Sequence, residues 1–119
     1  MKALNKAQKL YQAGKYHEAI TEFQNAITLQ EGEEREGLYN IGCCYLKLKQ
    51  WNKAGQHFIK AIKYKTNWYD CLFNLAYVLM KEKKYREAFI YCNRASVFCE
   101  GTDTQLDLMY ETLQQDIFA

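Results

Sequence analysis

Five cysteines, two histidines and a recurring asparagine are the side chains of this 119-residue chain whose types could do chemistry. Cys43 and Cys44 are adjacent, while Cys71, Cys92 and Cys99 stand apart with no CxxC pair anywhere. A zinc site needs close ligand pairs, and only His17 and His57 could add nitrogen. The odd count argues against a disulfide framework. So does the opening Met1-Lys2-Ala3-Leu4-Asn5-Lys6, which lacks the apolar stretch of a secretory signal. The thiols are therefore expected to be reduced and to pack as small apolar groups, since free Cys is among the most buried residue types. Cys43 is the one expected to be accessible to oxidation. No Gly-rich phosphate loop and no nucleophile motif is present, and neither histidine has a catalytic constellation around it. The reading is a non-enzyme without metal or cofactor. The asparagines, Asn5, Asn40 and Asn74, offer different chemistry: an amide both donates and accepts, as an extended backbone requires.

Those asparagines belong to a longer pattern that returns after 35 residues and again after 34. Ala7, Gly42 and Ala76 form one set, Ala19, Ala54 and Ala88 a second, and Ala26, Ala61 and Ala95 a third. Larger residues keep the same register: Leu10, Tyr45 and Leu79; Tyr16, Trp51 and Tyr85; Phe23, Phe58 and Cys92. Such a period means one supersecondary unit stacked on copies of itself. Within the middle unit, Leu38, Ile41, Gly42 and Tyr45 recur at the three- and four-residue steps of an amphipathic helix. A polar turn at Lys49-Gln50 follows, and then a second stripe of Trp51, Ala54, Phe58, Ala61 and Ile62. Each unit is thus two antiparallel helices, with small residues where the helices cross.

Composition agrees with a single all-helical domain. The chain is 49% hydrophobic and 25% charged, contains no proline, and has only 6 glycines to interrupt helices. Sixteen basic against 14 acidic residues leave a net charge of +2, too balanced to argue for nucleic acid. No apolar run approaches the roughly 20 residues of a membrane span, so no membrane insertion and a cytoplasmic address are expected.

The unit resembles the tetratricopeptide repeat, a 34-residue helix pair. The second copy carries the pattern most fully, as Leu38, Ile41-Gly42, Tyr45, Trp51, Ala54, Phe58 and Ala61. The resemblance implies a right-handed superhelical array of antiparallel helix pairs, about seven helices in one domain over 1–119. Repeats are expected at about 2–33, 35–67 and 69–101, and a capping helix at about 103–118. Two departures stand out. The family's closing proline is replaced by Glu31, Thr66 and Glu100, with Gly32, Asn67 and Gly101 expected to end helices in the left-handed region. Ala3 and Lys6 occupy slots where later units carry larger apolar residues, which suits a first helix without an outer neighbour. The last segment follows the N-cap candidates Thr102, Asp103 and Thr104 and carries the stripe Leu106, Met109, Tyr110, Leu113 and Ile117. Tyr110 stands in the small-residue slot, so the segment is expected to be a closing cap; the alternative is a chain cut from a longer array, since it ends on Ile117-Phe118-Ala119 with no polar tail.

The resemblance also implies that the first helix of each pair lines a concave face. There the asparagines would form an amide ladder, Asn5, Asn40 and Asn74, with Leu4, Tyr39 and Phe73 beside it. Gln8, Cys43 and Tyr77, then Tyr11, Leu46 and Met80, continue the same face one turn on. Exposed apolar and aromatic groups of this kind mark binding surfaces. Glu36 and Asp70 would edge one rim and Lys47 and Lys81 the other, about 16 Å away along the helix. Of the basic-and-Asn set with which some members of the family clamp a chaperone's C-terminal carboxylate, only Asn40 is matched. Leu4, Gln8, Asp70 and Asn74 fill the other slots, so the charge-assisted bonds of that clamp are missing. The expected function is a protein-protein interaction module holding an extended or partly helical peptide of a partner. The alternative is a self-associating structural protein that uses the apolar groove or the Leu108 and Phe118 edge of the last helix for homo-oligomer contacts.

Overall fold

The computed structural model describes residues 1–101 and 103–118, so Thr102 lies outside the described residues. Seven helices follow one another: α1 (Lys2–Gln12), α2 (Tyr16–Thr28), α3 (Glu34–Lys47), α4 (Trp51–Tyr64), α5 (Tyr69–Lys81), α6 (Tyr85–Val97) and α7 (Thr104–Phe118). Among the described residues there is no strand. Each helix packs on its neighbours in sequence, and α7 also reaches α5. The result is a stack 48 Å long and about half as wide.

The turn inside each pair is built three times in the same way. Gly14, Lys49 and Lys83 occupy equivalent positions and all adopt positive φ, at 77°, 59° and 63°. The next N–H reaches back to Leu10, Tyr45 or Leu79 at 2.9 Å, closing the last turn of the preceding helix. Lys15, Gln50 and Lys84 then accept the first hydrogen bond of the second helix from Ala19, Ala54 and Ala88. Between pairs the connections differ. Gly32 and Gly101 take positive φ as expected, but Asn67 does not. The chain leaves α4 in extended conformation at Lys65, so no left-handed residue is required there. Gln30 supplies one after α2 instead.

The small residues sit where helices approach most closely. Ala7, Ala19, Ala54, Ala61, Ala76, Ala88 and Ala95 are fully buried. A Cβ built on Gly42 would stand 2.7 Å from the ring of Phe58, which is itself completely enclosed. Burying a ring of that size stabilises the stack by about 1.5–3 kcal/mol. The core runs in two parts. One joins Ala7, Ala19, Ile20 and Phe23 to Ile41 and Cys44 of α3, and the other extends from Ala54 of α4 to Leu113 of α7.

Both ends of the stack are secured by carboxylates. Glu31, in the slot of the absent proline, reaches the start of α1 and accepts the Ala3 N–H at 3.1 Å, satisfying a helix N-terminus that has no cap of its own. Asp103 caps α7, accepting the N–H groups of Gln105 at 2.9 Å and Leu106 at 3.3 Å. It also accepts the hydroxyl of Tyr69 and so ties α7 to the start of α5. Tyr110 is too large for the slot it fills. Its ring turns edge-on to Phe89 at 5.6 Å, and its hydroxyl donates to Asn93.

Candidate functional site

The first helices of the three pairs, with α7, present repeat-equivalent side chains on one face. None of the sixteen residues expected to line a groove is buried. Asn5, Gln8, Glu36, Lys47, Asp70 and Lys81 are exposed; Leu4, Tyr11, Tyr39, Asn40, Cys43, Leu46, Phe73, Asn74, Tyr77 and Met80 are half-buried. The face is not one continuous trough. Gln8, Tyr11, Tyr39, Asn40 and Cys43 surround an opening of about 520 Å³ between α1 and α3, joined by Gln12 and by Phe23 of α2. Phe73, Tyr77 and Met80 surround a second opening of about 310 Å³ between α5 and α7, completed by Gln105, Leu108, Met109 and Thr112.

Between α3 and α5 lies a contact that sequence reasoning did not foresee. Asn74 donates from Nδ2 to the Tyr39 hydroxyl at 3.0 Å. The Tyr39 ring lies 4.7 Å from that of Trp68 and 5.6 Å from that of Phe58. Packing therefore claims Tyr39, which had been expected to stand free. The three asparagines accordingly have three different situations. Asn40 faces the first opening, Asn74 is engaged by Tyr39, and Asn5 borders neither opening. Leu4 turns inward toward Gly32, whose Cβ would meet it at 3.2 Å, and packs on the first core cluster. Trp68 escaped notice because it precedes α5, outside the register that the period defines. Gln105 and Thr112 escaped because they lie beside the apolar stripe that marks the helix, and Leu108 was read as an edge for a second copy rather than as part of this opening.

The site's electrostatics are muted. Burial pushes the Cys43 thiol up to about 11, against smaller opposing effects of the Tyr39 hydroxyl and Lys47. The raised value disfavours the thiolate, while Cys43 remains, with Cys99, one of the two half-buried thiols. Burial likewise raises Tyr11 to about 12 and holds Tyr39 well above its ordinary range. Cys44, Cys71 and Cys92 are buried, and the Cys71 thiol donates to the Phe58 carbonyl at 3.4 Å. Lys81 sits over the Tyr77 ring, 5.3 Å from its centroid. His57 lies on α4 with Nδ1 2.8 Å from the Lys53 carbonyl oxygen, and His17 is exposed on α2, both off the groove helices. Among the described residues, no group of three or more His, Cys, Asp and Glu side chains is placed to hold a metal ion. Nor is any helix long and apolar enough to cross a membrane.

The model of the tetratricopeptide repeat matches residues 36–67 and 69–96, half of the chain. The chain belongs to the tetratricopeptide repeat family. The match leaves out the first helix pair, where Ala3 and Lys6 stand in slots that α3 fills with Leu38 and Ile41. Among curated proteins, response regulator aspartate phosphatase I of Bacillus subtilis (strain 168) is 32% identical over 98 residues. That alignment takes in 74% of this chain but 25% of that protein, so the tetratricopeptide array spans about a quarter of its relative's length. Among solved structures, the type III secretion chaperone SycD of Yersinia enterocolitica, in complex with a peptide of the translocator YopD, superposes with a TM-score of 0.87. It is 19% identical, with 98% of this chain and 92% of that one covered. The TPR2B domain of yeast Sti1, in its pHsp70 complex, superposes at 0.84 with 18% identity, covering 96% and 94%. At these identities the structures share the fold with this tetratricopeptide array.

Proposed function

We propose that this array is a non-catalytic interaction module that holds a peptide segment of a protein partner across α1, α3, α5 and α7. The observation that carries the reading is the pair of openings built from repeat-equivalent positions, both lined by aromatic and amide groups, with a thiol in the first and thioethers in the second, and without a charged side chain. Such a floor favours apolar anchors and backbone contacts over proton transfer or nucleophilic attack. Two structures of the same fold, SycD and the Sti1 domain, are complexes with a peptide and with pHsp70, which supports a peptide as the ligand here. The phosphatase activity in the name of the Bacillus relative belongs to a protein about four times the matched length. The reading treats the array as one binding unit over 1–119 that acts in the cytoplasm with its thiols reduced.

Asn40 is the residue through which to test it. Its half-buried amide faces the first opening and has no side-chain partner among the described residues. Asn40→Ala should remove one or two hydrogen bonds to a bound backbone, each worth about 0.5–1.5 kcal/mol. That is a loss of about tenfold in affinity. Phe73→Ala should cost at least as much by removing an aromatic wall of the second opening. The experiment is affinity capture of the partner, reduction to its minimal binding segment, and titration of that segment into both variants. Parent-like affinity in both would place the contact outside the groove.

A further inference from the structure

Resting on the groove reading above, we infer that the preferred ligand is an extended segment with two large apolar side chains six residues apart. Acidic residues should flank one anchor and basic residues the other. The two openings use the same repeat positions, Gln8 with Cys43 and Tyr77, Tyr11 with Met80, so they open on the same face. One lies between α1 and α3 and the other between α5 and α7, two helix-to-helix gaps apart.

Packed helices are about 8–10 Å apart, which makes that distance at least about 16–20 Å. The 48 Å long axis, less the roughly 5 Å width of one helix at its Cα atoms and shared over three gaps, sets an upper figure of about 29 Å. An extended chain advances about 3.3 Å per residue, and only even spacings turn both side chains to the floor. Spacings of four, six and eight residues cover about 13, 20 and 26 Å. Six lies nearest the middle of that range.

The extended form follows from the amides. Gln8, Gln12 and Asn40 border the first opening and Gln105 the second. They serve a backbone whose N–H and C=O groups are unpaired, as a helical ligand's are not.

The charge direction comes from the two ends of the array. α1 carries Lys2, Lys6 and Lys9 and no acidic residue, Lys6 alone being tied to Glu22 at 3.5 Å. α7 carries Asp107, Glu111 and Asp116, and no Lys or Arg follows Arg94. A segment leaving the first opening past α1 therefore meets positive charge. One leaving the second past α7 meets negative charge. The rim charges are divided between the two rims, Glu36 and Asp70 at the starts of α3 and α5 and Lys47 and Lys81 at their ends, so they do not distinguish one end of the array from the other.

The test uses fluorescein-labelled peptides of Ser and Thr with two leucines spaced by two, four, six or eight residues. Two glutamates lie outside one leucine and two lysines outside the other, and each peptide is made in both chain directions and with one leucine removed. Anisotropy titration should show spacing six binding at least tenfold tighter than four or eight in one of the two directions. Exchanging glutamates for lysines should weaken it several-fold at low salt, and Met80→Gln should reduce the two-leucine peptide to the affinity of its one-leucine form. Affinity independent of spacing, or a one-leucine peptide binding as tightly as two, would overturn the inference. If no peptide of the set binds while Asn40→Ala still weakens the captured partner segment, the two-anchor register fails and the groove reading stands. Sedimentation of the free chain as a dimer that peptides dissociate would assign the groove to a second copy and also overturn it.

Discussion

Two glycines buried in neighbouring helices separate steric need from accident. Gly42 faces the Phe58 ring, and a methyl group there would stand 2.7 Å from ring atoms that are enclosed on all sides. At Gly55 the same methyl would meet Val78 at 3.6 Å and Leu75 at 3.9 Å, ordinary contact. Gly42→Ala is therefore expected to destabilise the chain by about 1–3 kcal/mol through overpacking. Gly55→Ala should stabilise it by roughly 0.5–1 kcal/mol, the helix-interior cost of glycine. Urea unfolding of the two variants checks the pair, and equal shifts of the same sign would contradict the crossing geometry. Gly42 was legible in the sequence because the distance between helices dictates side-chain size at each crossing, and the period repeats that demand as Ala7 and Ala76. The same period put Asn40 in register with Asn5 and Asn74, and it lines the first opening. The engagement of Asn74 by Tyr39 was not legible, because it depends on Trp68 pressing Tyr39 into place from outside the repeat register.

At the scale of elements, the places of the turns and the stripe faces could be read directly, while the backbone form of a turn could be read only where a glycine marks it. Lys49 and Lys83 adopt the backbone form that Gly14 adopts, although lysine gives no sign of it. Asn67, which does give that sign, is not needed because α4 ends in extended chain. The attachment of α7 depends strongly on Asp103. The Tyr69 hydroxyl, with the N–H groups of Leu106 and Gln105, holds the Asp103 carboxyl below its ordinary range. A carboxyl that titrates lower when folded stabilises fully above the unfolded value of about 3.9, and loses that contribution as pH falls through its folded value. The hold on α7 should thus weaken below about pH 4. Amide signals of Gln105 and Leu106 followed by NMR from pH 6 downward should shift in that window in the parent and stay flat there in Asp103→Asn. Identical profiles in both would remove Asp103 from the account.

Across the whole molecule, stacking converts a sequence period into a surface. The sides of the array divide by chemistry: the first helices and α7 expose amides, aromatics and Met80, while the second helices turn residues such as His17, Lys60 and Ile90 outward. The period announced the stack, while a concave face lined by the first helices is what the family resemblance implied. The contacts of Tyr39 with Trp68 and Asn74, which lie between the two openings, and the α7 side of the second opening were in neither. Which side holds the partner is the central claim, and photo-crosslinking tests it most directly. Benzoylphenylalanine is placed at Tyr77, beside the second opening, or at Ile90, which is 56% exposed on α6. After irradiation with the bound partner segment, the account predicts a crosslinked product from the Tyr77 position and none from Ile90. A product from Ile90 with none from Tyr77 would contradict it.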